Sequence, residues 1–142
     1  MSKVMSATPL ESLLGRMAGE YRAKASIYEI PERVFREMFE LEWASAGLEV
    51  MGGKASLPVG PAAGPNSQIA PNVIAAYLAG SRVFELKTVQ ENDSLDIEKP
   101  CIDALDEGHN VEWSTELSLA DARGEYLRAW MAVNLLAAIW SP

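Results

Sequence analysis

The stretch that decides the fold is residues 55–89, ASLPVGPAAGPNSQIAPNVIAAYLAGSRVFELKTV. Ala55 to Val59 reads as a short strand. It runs into Gly60-Pro61-Ala62-Ala63-Gly64-Pro65, a loop of small residues and helix breakers. Ile69 to Leu78 reads as a helix, closed by Gly80 in its C-cap region. Val83 to Val89 follows as a second, stronger strand. Strand, loop, helix and strand in this order make a βαβ unit, which implies parallel strands joined by a right-handed crossover.

On the N-terminal side the pattern is helical. Leu10, Leu13, Leu14, Met17 and Tyr21 fall on one helical face. Thr8 is placed to cap this helix, Pro9 suits its first turn and Glu11 completes a capping box. A second helix follows Pro31, with Val34, Phe35, Met38 and Phe39 as its apolar positions, and Gly52-Gly53 marks a turn. On the C-terminal side, Gln90 to Glu116 is long, acidic and irregular. A loop of this length in a compact domain is characteristically functional or disordered. The last segment is a long helix with Ser118 at its N-cap and Asp121 in its first turn. Leu119, Ala122, Tyr126, Ala129, Trp130, Val133, Ala137 and Trp140 lie along one broad face, and its aromatic residues read as core or interface packing rather than a stacking platform. No repeat or heptad run occurs. A pair of parallel strands is a poor core by itself, because all-parallel sheets need both faces covered. The expectation is a sheet that ends early at a helix boundary or is completed by another chain.

The chain has 142 residues, and a one-domain size is the natural expectation. The formal charge of −8 argues against general affinity for nucleic acid or anionic membrane, both of which reward Lys and Arg. It leaves room for a phosphorylated cofactor held by backbone N–H groups and one cation. A single cysteine, Cys101, excludes an intrachain disulfide and fits a reducing compartment. Met1 to Pro9 lacks the apolar core of a secretory signal. Trp130 to Trp140 is broken by Asn134 and is too short to span a bilayer. The expected location is the cytoplasm.

Two segments stand out as candidate site elements. The loop Gly60 to Ser67 follows a strand, where α/β folds place their ligands. Ala62, Ala63 and Gly64 carry almost no side chain, so a flat ring system can lie against their backbone. The plain alternative is a tight strand-to-helix turn that needs small residues. The loop has neither the dinucleotide nor the Walker glycine spacing. Glu85-Leu86-Lys87-Thr88 closes the second strand. Charges inside a buried parallel strand are costly, whereas at its C-terminal end they face a site. There Lys87 can hydrogen-bond an anionic ring or a substrate carbonyl and Thr88 can donate; the alternative is a solvated strand end. Cys101 has no partner to depress its pKa and reads as a small buried residue. His109, the sole histidine, reads as a surface loop residue and makes no zinc site. Asn110 offers a neutral donor and acceptor. The acidic set Asp93, Asp96, Asp103, Asp106 and Glu107 reads as a solvated loop.

Taken together, GPAAGPNSQ at 60–68, AAYLAG at 75–80, FELKTVQ at 84–90, EKPCID at 98–103 and NVEWSTEL at 110–117 carry a resemblance. They look like the N-terminal region of the large bacterial flavoproteins of the "putative selenate reductase" family. Those proteins are similar in turn to dihydropyrimidine dehydrogenase and glutamate synthase chains. Their N-terminal domain resembles dihydroorotate dehydrogenase, an FMN-binding (β/α)8 barrel with a helical extension. The resemblance keeps the order of the blocks over nearly the whole chain. It implies an α/β fold, a partial TIM-barrel-like segment of about two parallel strands, with a helical extension over 1–53 and the first βα units over 54–142. It implies that Ala62, Ala63 and Gly64 pack on the flavin, that Lys87 and Thr88 contact its ring or the substrate with Lys87 as the catalytic candidate, and, loosely, that Asn66 and Asn110 meet the substrate. A complete barrel takes roughly 250 residues and holds phosphate with loops after its last strands. The expected partners are therefore flavin and a small-molecule substrate in the complete enzyme, together with the remainder of the barrel or another chain. Iron–sulfur and NAD(P)H sites are not expected in these residues. The competing expectation is a non-catalytic assembly module that completes its sheet with itself or a larger subunit.

Overall fold

The computed structural model describes residues 6–89 and 117–141. Its described residues form helices α1 (Leu10–Lys24), α2 (Glu32–Ala44), α3 (Ala70–Leu78) and α4 (Leu119–Trp140). Strands β1 (Ser26–Ile27) and β2 (Ile30–Pro31) pair antiparallel between α1 and α2. Strands β3 (Leu48–Val50) and β4 (Gly53–Ala55) form a second antiparallel hairpin after α2. A single 3₁₀ turn, Pro65–Gln68, leads into α3.

The core follows the helical periodicity. Leu13 and Met17 of α1 are buried, with Leu10, Leu14 and Tyr21 packed partly against them. Phe35 and Phe39 enter from α2, Ile74, Tyr77 and Leu78 from α3, and Ala129, Ala132 and Leu136 from α4. Residues from 1–53 and from 54–142 thus share one core. Trp140 meets Tyr21 and Phe35 edge to face, its ring centred 5.5 Å from Tyr21 and 5.2 Å from Phe35. Such contacts suit the ring quadrupoles. Arg82 ties the end of α3 to α2. Its guanidinium reaches Glu42 at 2.8 Å, donates to the Tyr77 carbonyl at 2.8 Å and lies 4.2 Å from the Tyr77 ring centre.

The hairpins are set by backbone handedness. Tyr28 and Glu29 have φ of 48° and 65°, and Met51 and Gly52 have 50° and 80°. Positive φ at both central residues is the mark of the tight turn whose twist matches a two-stranded ribbon. A non-glycine residue held there costs about 1–2 kcal/mol. At Tyr28 this is offset by the Glu20 carboxylate, which accepts its N–H at 2.5 Å, and by Arg16, 4.7 Å from its ring centre.

Three expectations are corrected. The first is the cap of α1. Pro9 is its N-cap and no side chain caps it. Thr8 contributes its backbone N–H instead, donated to Glu125 of α4.

The second is the pair of parallel strands. Among the described residues the only ladders are the two antiparallel hairpins. Val89 carries a β-bridge, but residues 56–59, bent at 56–57, and 83–88 form no strand among the described residues. They nevertheless run side by side in the same direction. The Val59 carbonyl accepts from Arg82 N at 3.1 Å, and the Glu85 carboxylate accepts from Ala63 N at 3.0 Å. Between these contacts Gly60 approaches so closely that a Cβ there would fall 1.5 Å from the Val83 carbonyl oxygen. The alignment of a parallel pair is present without its ladder. Pro58 and Pro61 remove two N–H donors from the first segment, and a parallel pair needs such donors at regular intervals.

The third correction is the buried face of α4. Ser118 caps the helix as expected, its Oγ accepting from Asp121 N at 3.1 Å. The buried row, however, is Ala122, Glu125, Ala129, Ala132 and Leu136, while Leu119 and Trp130 are exposed. The helix is apolar on both sides, so its pattern did not select a face. The alanine row did, because small side chains let α3 approach closely.

Candidate active site

The loop that opens toward α3 builds a cleft. Pro61, Ala62, Gly64, Asn66, Ser67, Asn72 and Val73 line a volume of about 280 Å³. Small residues shape its wall, and Asn66 and Asn72 also line it. Ser67 locks the turn, since its Oγ accepts from Gly64 N at 2.8 Å and donates to Gly64 O at 2.9 Å. Asn72, in the first turn of α3, donates through its Nδ2 to the Asn66 carbonyl at 2.9 Å. The loop is therefore held from within and from the helix it feeds.

The expected site residues separate into three groups. Ala62, Gly64 and Asn66 line the cleft. The neighbouring Ala63 spends its N–H on Glu85, and Gly64 spends its N–H on Ser67. What these two residues offer a ring is thus contact surface rather than an N–H donor. Lys87 and Thr88 lie on the adjacent segment and do not line the cleft. Lys87 is buried, whereas Thr88 is exposed. Asn110, Cys101, His109 and the acidic run 90–116 fall outside the described residues. Among the described residues, no lysine or arginine lines the cleft. Its size and small-residue wall match a flat ring, and among the described residues no cation is at hand there for a phosphate.

Two residues of α4 support this arrangement, and reading by periodicity missed both roles. Glu125 is completely buried. Its carboxylate accepts from Ala70 N at 2.6 Å, from Thr8 N at 2.5 Å and from Arg128 Nη2 at 2.9 Å. The N-cap of α3 is Ile69, which provides no side-chain cap, and Ala70 is the first residue of the helix. Glu125 therefore serves as the missing cap from another helix, where the helix dipole favours negative charge. The adjacent Tyr126 grips Lys87 by its main chain. The phenol oxygen accepts from Lys87 N at 3.1 Å and donates to Lys87 O at 3.2 Å. Burial pushes the Tyr126 phenol above its ordinary value, so it keeps the proton it donates. The available signal was the spacing 122, 125, 129, 132, 136, which sets a carboxylate in an alanine row.

The family model for the N-terminal TIM-barrel domain of oxidoreductase YgfK matches residues 32–142. The chain belongs to this family. Over all 142 residues it is 47% identical to proteins named "Putative oxidoreductase YgfK" from Escherichia coli K12 and from Escherichia coli O157:H7. The chain spans 13% of the length of these relatives. No solved structure matches it significantly. Membership in the YgfK family makes it the N-terminal domain type of an oxidoreductase, with a TIM barrel as its named fold. Four helices beside few strands are consistent with part of such a barrel. No helix among the described residues is long and apolar enough to cross a membrane.

Proposed function

We propose that these residues form the opening part of an FMN-dependent oxidoreductase barrel of the dihydroorotate and dihydropyrimidine dehydrogenase-like type, within the selenate reductase-like flavoproteins. The observation that carries the reading is the side-by-side run of residues 59–63 and 82–85 next to a ring-sized cleft. It sets the small-residue loop beside the segment that leads to Lys87, an arrangement that supports a ligand site at the C-terminal ends of barrel strands. When bound, FMN would supply hydride or electron transfer. Ala62, Ala63 and Gly64 would give the ring a flat wall. Asn66, with Asn72, would present amide donors and acceptors. Lys87 would supply the positive charge that an electron-rich ring or a substrate carbonyl calls for, with Thr88 beside it. The phosphate would be held elsewhere in the complete domain, because no cation among the described residues lines the cleft.

The complete enzyme would take a small-molecule substrate in the cytoplasm, and this chain by itself would not turn it over. The outward face of α4 favours a large protein contact. Leu127, Trp130, Met131, Leu135 and Ile139 are all exposed there. A helix apolar all round is normally covered on both sides. The remainder of the barrel is the proposed cover.

An FMN titration of the purified chain, followed by flavin fluorescence and absorbance, tests the site. Saturable binding is expected, weakened about 10-fold by Ala62→Leu, equivalent to about 1.4 kcal/mol. Absence of saturable binding, or indifference to a bulkier residue at 62, overturns the assignment of the ring to this cleft.

A further inference from the structure

Two consecutive residues on one helix each take hold of a different half of the proposed site. Glu125 fixes Ala70 N, the first N–H of α3, immediately after the loop that lines the cleft. Tyr126 fixes both main-chain groups of Lys87. Neither side chain lines the cleft. Each acts through hydrogen bonds that span long sequence separations, 55 residues for Glu125 to Ala70 and 39 for Tyr126 to Lys87.

Both grips suit their task. Glu125 uses its two oxygens for separate donors, Oε2 for Ala70 and Oε1 for Thr8 and Arg128. An amide has a single acceptor oxygen and could not serve both sides. Tyr126 uses one hydroxyl as acceptor and donor on the same residue, which restrains the peptide units on both sides of the Lys87 Cα. That restraint fixes the main chain from which the Lys87 side chain projects. Residues 83–88 form no ladder among the described residues, and Tyr126 holds both main-chain groups of Lys87 there.

We propose that the Glu125–Tyr126 pair of α4 is the positioning element of the flavin site: Glu125 sets the loop that feeds α3, and Tyr126 sets the direction of Lys87. The proposal rests on the flavin reading above and adds to it residues that touch neither ring nor substrate. Its consequence is that α4, whose outer face is free for a partner, transmits its own placement to both halves of the site.

The test is a double-mutant cycle in the 142-residue chain with FMN as the probe. Tyr126→Phe keeps the ring and deletes only the hydroxyl. Its thermal midpoint is expected to stay close to wild type, while the FMN Kd rises about 10-fold. Lys87→Ala is expected to raise Kd by a similar factor. The double variant should be no weaker than Lys87→Ala alone, because a residue acting through Lys87 has nothing left to position. Multiplying effects in the double variant, or an unchanged Kd in Tyr126→Phe, overturns the role of Tyr126. Backbone amide exchange gives a readout independent of flavin. The Lys87 N–H should exchange faster in Tyr126→Phe while the amides of the α3 core hold. Unchanged Lys87 exchange overturns the grip itself. Should wild type bind no FMN, the flavin reading fails, and amide exchange alone decides whether the grip exists. Glu125→Gln provides the second arm, with faster exchange at Ala70 or Thr8 expected. Protection retained at both overturns the role of Glu125.

Discussion

Tyr28 shows how one residue can be held against several local preferences. It occupies a left-handed backbone conformation, is largely buried, and its phenol oxygen has no hydrogen-bond partner among the described residues. Burial, with the carboxylates of Glu20 and Glu125 adding to it and Arg16 opposing, pushes the phenol up to about 12. The folded protein therefore binds this proton more tightly than the unfolded chain, whose value is near 10. The associated stability is fully present below pH 10 and is lost as pH rises toward 12. Tyr28→Phe removes the titration and the unpartnered hydroxyl together. Its unfolding free energy at pH 7, measured in urea, is expected to equal or exceed wild type by up to about 1 kcal/mol, since a buried polar atom without a partner is a cost. Its loss between pH 7 and pH 11 should be smaller than that of wild type. An equal loss would show that Tyr28 is not the group responsible. The turn position and the Glu20 contact were not legible beforehand, because Tyr-Glu lacks the Asn-Gly signature of such turns.

At the scale of elements, the helices were the legible part and their ends less so. The α1 pattern at Leu10, Leu13, Leu14, Met17 and Tyr21 gives the packed face that is observed. Ser118 and Asp121 correctly mark the start of α4. The cap of α1 was misassigned because a capping box is a local motif, whereas the N–H group of Thr8 is taken by a residue 117 positions away. The C-cap of α1 is Ala25 in the left-handed conformation, with φ 48° and ψ 45°. Its side chain is exposed, so nothing opposes its replacement. Ala25→Gly is expected to raise stability by about 0.5–1 kcal/mol, because glycine carries no Cβ penalty in that region. Chemical denaturation measures this directly, and a destabilised variant would show that the unfolded-state entropy of glycine outweighs the relief. The two extended segments were legible as neighbours but not as irregular ones. Gly60 made the approach possible, while Pro58 and Pro61 withheld the donors of a regular ladder.

Across the whole molecule, α4 is the organising element. One side packs on α3, and Glu125 and Tyr126 reach the two site segments. The other side presents Leu127, Trp130, Met131, Leu135 and Ile139 to solvent. Trp130, 64% exposed, is the largest of these. Trp130→Glu is expected to change the stability of the chain by no more than about 0.5 kcal/mol, as for other exposed positions. It should also reduce concentration-dependent self-association, read by light scattering. A large loss of stability would place Trp130 in the core, and unchanged association would show that this face is not the adhesive one. The expectation that Trp130 packs inward failed for a reason visible in the helix itself. Apolar residues surround α4, so periodicity leaves two candidate faces, and the choice belongs to the neighbouring helix.

The sequence by itself determined the helices, the small-residue loop between two apolar segments and, through ordered blocks along the chain, the oxidoreductase family. These depend on local periodicity, on the conformational limits of Gly and Pro and on residue order, all of which are properties of the chain. Tertiary structure alone decided that Glu125 caps a helix it does not belong to, that Tyr126 holds Lys87 by its backbone and that Trp130 faces outward. The first two depend on hydrogen-bonding groups brought within about 3 Å across long sequence separations, and the third on which face of α4 meets its neighbour. Such distances are fixed by how α4 packs on α3 and not by any local pattern.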